Sequence, residues 1–139
     1  MSFANPDDAT RKRLLQQIKT IAVVGLSPQV NRPSYRVAKA MQGFGFHIVP
    51  VRPAVASVLG ETAYPTLADI PFAVDLVNVF RAAAHVPAIV DACLALHCPA
   101  IWIQEGIVAD VAAEQARAAG MTVVMDRCIY KDYVTLFTA

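Results

Sequence analysis

The run Ile21-Ala22-Val23-Val24 is apolar at every position and stops at Gly25. A strand with one wet face alternates polar and apolar residues. A strand that is apolar throughout is buried on both faces, as in a parallel sheet covered by helices. Strands are also read at His47-Ile48-Val49-Pro50-Val51, Asp75-Leu76-Val77-Asn78-Val79-Phe80, Ala100-Ile101-Trp102-Ile103 and Thr122-Val123-Val124-Met125. Between these runs the spacing turns helical. Leu14, Leu15 and Ile18 share one face; Val37, Ala38, Met41 and Phe44 follow a start near Pro33-Ser34. Val86, Ile89, Val90, Cys93 and Leu94 form a third set, and Val111, Ala112, Gln115, Ala116 and Ala119, closed by Gly120, a fourth. Strands alternating with helices of about 10–15 residues are the pattern of βαβ units. The reading is a doubly wound α/β domain with helices on both faces of a mostly parallel sheet of about five or six strands.

Less regular segments fit around this frame. Asn5-Pro6-Asp7-Asp8 reads as a helix start, with Asn5 as cap and Pro6 at the first helical position. Val55 to Thr66 holds a short strand or turn, and Leu67 to Ile70 a short helix ahead of Pro71. No repeat, low-complexity tract or linker divides the chain, so residues 1–139 are expected to form a single domain.

Composition narrows the function classes. Hydrophobic residues make up 56% and charged residues 17%, which excludes a disordered chain. Twelve basic against eleven acidic residues leave a net charge of +1, too little for an electrostatic grip on nucleic acid. Every apolar run breaks well short of the roughly 18–20 residues a membrane span needs, and the first residues lack the apolar core of a signal peptide. Three cysteines without CxxC spacing suit a reducing compartment. The expected location is the cytoplasm, with no membrane and no nucleic acid as partner.

In such a sheet, ligands bind beyond the carboxyl ends of the strands. After the first strand comes Gly25-Leu26-Ser27-Pro28-Gln29-Val30-Asn31-Arg32-Pro33-Ser34-Tyr35-Arg36. A glycine there lets a ligand approach the backbone, and the helix opening at Pro33 offers free N–H groups to a phosphate. Ser27 and Ser34 add hydroxyls; Arg32 and Arg36 add charge. The loop matches neither GxGxxG nor GxxxxGK[ST]. The second strand ends in Pro50-Val51-Arg52-Pro53, where an enzyme using NAD carries an acid for the ribose hydroxyl. Arg52 suits a phosphorylated ribose instead. The ligand indicated is coenzyme A, with NADP as the alternative; the plainer reading of Arg52 is a surface arginine between prolines.

Taken together, VVGLSPQVNRPSYRVAKAM, IVPVRP, LGETAYPTLADIP, VDLVNVFR, IWIQEGI and VVMDRC resemble the stand-alone CoA-binding domain proteins of bacteria. These are similar to the nucleotide-binding domain of the succinyl-CoA synthetase alpha subunit. The resemblance runs from about Ile18 to Tyr130 and implies a Rossmann-like fold with CoA across the strand ends. It implies Gly25, Ser27, Ser34 and Tyr35 at the pyrophosphate, Val51, Arg52 and Pro53 at the adenosine, and Phe80, Arg81 and Val86 along the pantetheine. In the synthetase a further domain carries the phosphorylated histidine, and this sequence has no residues to build one. Ligase chemistry is therefore not implied.

No catalytic constellation emerges. Cys93 and His97 share a helical face near Cys98, but no second pair completes a tetrahedral zinc site, and Cys93 reads as core. His47, His85 and His97 sit at ends of elements. Glu105 is the one candidate general base at a strand end, without a visible partner. In Asp126-Arg127-Cys128, Arg127 is placed to favour a Cys128 thiolate able to exchange with a ligand thiol; a buried structural cysteine is the plainer reading. The expectation is a nucleotide-binding module, self-associating or paired with another protein. The alternatives are an NADP-dependent oxidoreductase or one component of a split acyl-CoA ligase.

Overall fold

A computed structural model describes residues 3–138. Five parallel strands form the sheet: β1 (Thr20–Val24), β2 (His47–Val51), β5 (Leu76–Val79), β6 (Ala100–Ile103) and β7 (Thr122–Met125), in the order β2-β1-β5-β6-β7. A two-stranded antiparallel hairpin, β3 (Ser57–Val58) and β4 (Glu61–Thr62), lies in the less regular segment. Beyond it, Tyr64 bridges in parallel to Val51, donating its N–H to Pro50 O and accepting from Arg52 N–H. The sixth strand is reduced to this one residue, because Pro50 has no N–H to extend the ladder.

The apolar runs are buried on both sides for a visible reason. Alternate residues of each strand enter opposite cores. Ala22, Val24, Val77, Val79, Ile101 and Ile103 pack under α3 (Val86–Ala95) and α4 (Asp110–Ala118). Ile21, Val23, Leu76 and Trp102 pack under α1 (Asp8–Gln17), α2 (Pro33–Gly43) and α5 (Ile129–Phe137). Fully burying one such side chain contributes about 1.5–3 kcal/mol, so two continuous cores fix the register of every strand. Trp102 has no exposed surface, and its indole N–H donates to Arg127 O at 2.9 Å.

Two details differ from the sequence reading. The cap of α1 is Asp7, whose carboxylate accepts from Thr10 N–H; hydrogen bonding by Thr10, through its side chain first and then its backbone N–H, holds the Asp7 pKa below the usual value. Asn5 instead reaches β7, donating to Met125 O and accepting from Met125 N–H, both at 2.8 Å. The second difference is α5, which no strand-and-helix pattern announced. It is anchored through the buried Asp132, which accepts from Arg11 Nε (3.0 Å) and from Arg127 Nε and Nη2 (both 2.7 Å). Tyr133 extends the anchorage by stacking on Phe44 and Phe137.

Candidate functional site

The strand order reverses between β1 and β5. The chain leaves β1 for α2 on one face and β5 for α3 on the other, so their loops part and leave a crevice at the carboxyl ends. Gly25 forms its floor. Its φ is +86°, and a Cβ there would lie 2.7 Å from Phe80 O and 2.9 Å from Arg81 Cδ. Only glycine allows β1 to turn away this close to the end of β5.

Three cavities run along the crevice, and Phe80 lines them all. The first, about 430 Å³, is bounded by Val51, Arg52, Pro53 and Arg81. The middle one, about 400 Å³, is bounded by Gly25, Ser27, Gln29, Arg32, Pro33, Ser34 and Arg52. The third, about 680 Å³, extends between α2 and the ends of β6 and β7, past Arg36, Gln104, Ile107 and Cys128.

The middle cavity is built to meet an anion. Arg32 is the N-cap of α2 and makes no side-chain cap. The Ser34 and Tyr35 amides belong to the helix's first turn, where no intrahelical acceptor exists. Ser34 Oγ accepts from Ser27 N–H (3.0 Å), and Ser27 Oγ accepts from Gln29 N–H (3.1 Å). Each hydroxyl thus braces the loop through its oxygen and retains its proton for donation. Arg32, Arg52 and Arg81 border the first two cavities, form no ion pair among the described residues, and face no lining carboxylate. Their positive field is local; a net charge of +1 does not reveal it.

The third cavity differs. Glu105 at its rim accepts from Lys131 Nζ at 2.8 Å, and this bond raises the lysine's pKa. Glu105 is therefore an ion-pair partner, not an isolated base. Gln104 is 5% exposed; its Oε1 accepts from Asn78 Nδ2 (3.3 Å) and Ile129 N–H (3.4 Å). Its Nε2 donates to no acceptor among the described residues but is not a fully buried atom, and Gln104 is part of the cavity lining. Cys128 lines the same cavity as the N-cap of α5. The charge expected from Arg127 is not directed at it: the guanidinium forms a bidentate pair with Asp132, which raises the arginine's pKa. The nearby cation is Lys131, whose pKa is raised in smaller part by Cys128 itself.

The sequence matches the family model described as a CoA binding domain over residues 19–133. The chain belongs to the CoA binding domain family. Within it, this CoA-binding-domain protein is 42% identical over 125 residues to the uncharacterized protein YneT of Bacillus subtilis, covering 90% of this chain and 93% of that protein. It is 33% identical over 75 residues to ADP-forming acetate–CoA ligase I of Archaeoglobus fulgidus, covering 54% of this chain but 11% of the ligase. The solved structure of cell-free ID.343 from Thermus thermophilus superposes with a TM-score of 0.90 at 31% identity, over 95% of this chain and all of that one. The Rossmann-like α/β fold expected from the sequence is shared with these neighbours.

Nine of the eleven residues singled out in the sequence border the crevice: Gly25, Ser27, Arg32, Ser34, Val51, Arg52, Pro53, Phe80 and Arg81. Tyr35 and Val86 do not line it. Tyr35 turns its ring toward the core beneath α2, leaving its backbone amide at the helix start. Val86 is fully buried under the sheet, opening α3. Gln104 and Lys131 escaped the sequence reading, although Gln104 adjoins Glu105 at the end of β6. Cys93 and Cys98 lie in the core under α3, where Cys93 is held protonated by its hydrogen bond with Cys98 and then by burial. His85 contacts Arg81 (3.1 Å), His47 faces Glu61 (3.5 Å), and His97 adopts φ +56° just beyond α3. Among the described residues, no helix is long and apolar enough to cross a membrane.

Proposed function

We propose that this chain binds coenzyme A along the strand ends as a single-domain module, without ligase chemistry of its own. The observation that carries the reading is the cluster of cations at a helix start at one end of the crevice. Arg32, Arg52 and Arg81, in no ion pair among the described residues, and the start of α2 border the first two cavities, while the roomier third cavity adds an amide and a thiol to Arg36, Arg81 and the Glu105–Lys131 pair. CoA carries three phosphates at its adenosine end to meet that cluster. In this reading Arg52 pairs with the ribose 3′-phosphate beside Val51 and Pro53. The pyrophosphate sits on the α2 amides, Ser27, Ser34 and Arg32, and the pantetheine passes Phe80 and Arg81.

Family membership supports the ligand class. The matched ligase bears on this stretch alone, and its activity is not carried over. Among the described residues, no nucleophile, base and orienting group converge in the crevice, which favours holding a ligand over transforming it. Isothermal calorimetry with CoA, dephospho-CoA, NADP and NAD tests the reading. CoA should bind most tightly and dephospho-CoA more weakly, with NAD weakest because no acid meets its ribose. Thermal shifts should follow the same order, since a ligand of the folded state alone stabilises by RT ln(1 + [L]/Kd). NAD or NADP binding as tightly as CoA would overturn it.

A further inference from the structure

We infer that Cys93 and Cys98 form a reversible dithiol–disulfide site, closed by a peroxide and reopened by a thiol, at the end of α3 that lies away from the crevice. The inference does not depend on the ligand. It starts from how α3 stops. Ala95 is the last helical residue and Leu96 the cap. His97 follows in the left-handed region at φ +56°, and its N–H donates to Leu94 O at 3.2 Å. Cys98 N–H then donates to Cys93 O at 2.9 Å. These are the two bonds of a Schellman motif, which folds the residue after the left-handed one back against the third-last residue of the helix. That contact ordinarily joins two apolar side chains. Here it joins two thiols.

The spacing suits a covalent bond. A 2.9 Å N···O bond between the two residues bounds their Cα separation at about 6.8 Å, and disulfides span about 4.4–6.8 Å. The side chains already meet: Cys93 is hydrogen-bonded to Cys98, which holds Cys93 protonated and draws the Cys98 pKa down. Cys98 is therefore the attacking sulfur and Cys93 the resolving one. Both border an apolar cavity of about 70 Å³, room enough for a molecule the size of water or peroxide. Phe72 and Leu96 line it too and are 42% and 46% exposed, so the cavity meets solvent. Cys128 provides the contrast, since no second cysteine lines its cavity. A bridge of this kind in a reducing compartment is transient, which suits a sensor better than a staple.

The closing reaction has two steps. The Cys98 thiolate attacks one peroxide oxygen, the O–O bond breaks, and the departing hydroxide takes the proton that Cys98 released, leaving as water. Cys98 is then a sulfenic acid. The Cys93 sulfur attacks the Cys98 sulfur, the S–O bond breaks, and hydroxide leaves as water with the Cys93 proton. Two thiols are oxidised to one disulfide, and one peroxide is reduced to two waters.

The test treats the full chain with one equivalent of hydrogen peroxide, then unfolds it in urea with iodoacetamide and maps the peptides by mass. The peptide carrying Cys93 and Cys98 should lose both alkylations together and be lighter by two hydrogens than the dithiol. Dithiothreitol should restore both alkylations. Cys93→Ala should stop at the Cys98 sulfenic acid, captured by dimedone, and Cys98→Ala should leave Cys93 open to alkylation. Circular dichroism verifies the fold of each variant, and the mapping of the unsubstituted chain decides the matter even if one fails to fold. Full alkylation of both residues after the peroxide is consumed, oxidation confined to Cys128, or a loss that dithiothreitol does not reverse would each overturn the inference. Dimedone on Cys93 in Cys98→Ala would overturn the assignment of Cys98 as the attacking sulfur.

Discussion

The crevice has two ends made in different ways. Beside β1 and β2 it consists of backbone and loose charge: a glycine, the first turn of α2, and arginines with no carboxylate partner. Beside β6 and β7 its lining side chains are engaged, Gln104 with Asn78 and Glu105 with Lys131, and the helix that closes this end, α5, is anchored outside the cavity by Asp132 with Arg11 and Arg127. The first end has spent nothing of its charge on the fold, so its arginines are available to a ligand. The second end helps hold the fold together, and its accessible chemistry is what remains after that task. Substitutions at the two ends should therefore separate stability from affinity.

The largest effect is expected at the second end. Arg11 and Asp132 side chains are 7% and 6% exposed, so Asp132→Ala takes from a buried guanidinium its buried carboxylate and leaves it only the exposed Asp8. Removing one partner of a buried pair costs up to about 3–5 kcal/mol. Urea unfolding should show this loss, with CoA affinity of the folded protein nearly unchanged. A fall in affinity comparable to that of an arginine variant would erase the distinction between the ends.

Gly25 joins the two quantities. Gly25→Ala meets both a left-handed backbone and a carbonyl at 2.7 Å, for a cost of roughly 2–5 kcal/mol, and it displaces the crevice floor. Gly106, at φ +87° with nothing within 4 Å of an added Cβ, supplies the control. Gly106→Ala should cost only the backbone share, about 1–2 kcal/mol, and leave binding intact. Equal unfolding midpoints for the two variants would show that Phe80 O does not constrain Gly25.

Arg52→Ala should be the smallest change and the most selective. Its guanidinium forms no ion pair among the described residues, so stability should hardly move. CoA affinity should fall by about 1.5–3 kcal/mol, near ten- to a hundredfold, while dephospho-CoA affinity stays constant. Added salt should shrink the difference. Equal weakening of both ligands in calorimetry would remove Arg52 from the ribose phosphate.

The same division explains how much could be read from the sequence. The five parallel strands and the residues at their ends were legible because short, largely apolar runs end at Val24, Val51 and Phe80, ahead of Gly25, Arg52 and Arg81. A strand-end rule then locates the crevice without tertiary detail. What depended on contacts between distant residues was not legible. The helix α5 contains β-branched and aromatic residues of middling helix propensity, and it is secured by Arg11, more than a hundred positions away. Ser34 reads in the sequence as a helix-start residue with a hydroxyl for the ligand; that it is only 6% exposed and that its oxygen ties back to Ser27 could not be read there. Tyr35 and Val86 mark the correct elements but point into the two cores. Arg127 looked like a neighbour for Cys128 by adjacency, yet Asp132 one helical turn on competes for it and wins with two hydrogen bonds at 2.7 Å.

The paired hydrogen bonds between Asn5 and Met125 have a further consequence. β7 is the outermost strand on its side of the sheet, and an outermost strand presents unpaired backbone groups on which another chain can add. The Asn5 amide offers one donor and one acceptor to one residue, which is what a neighbouring strand would offer, and then leads away into α1. It occupies the place of a neighbour without providing an edge of its own. On the opposite side, Pro50 and the single bridge at Tyr64 do the same by withholding a donor. A sheet this apolar is thereby kept from templating its own growth, and the guard at one side is a side chain from the lead-in to the first helix.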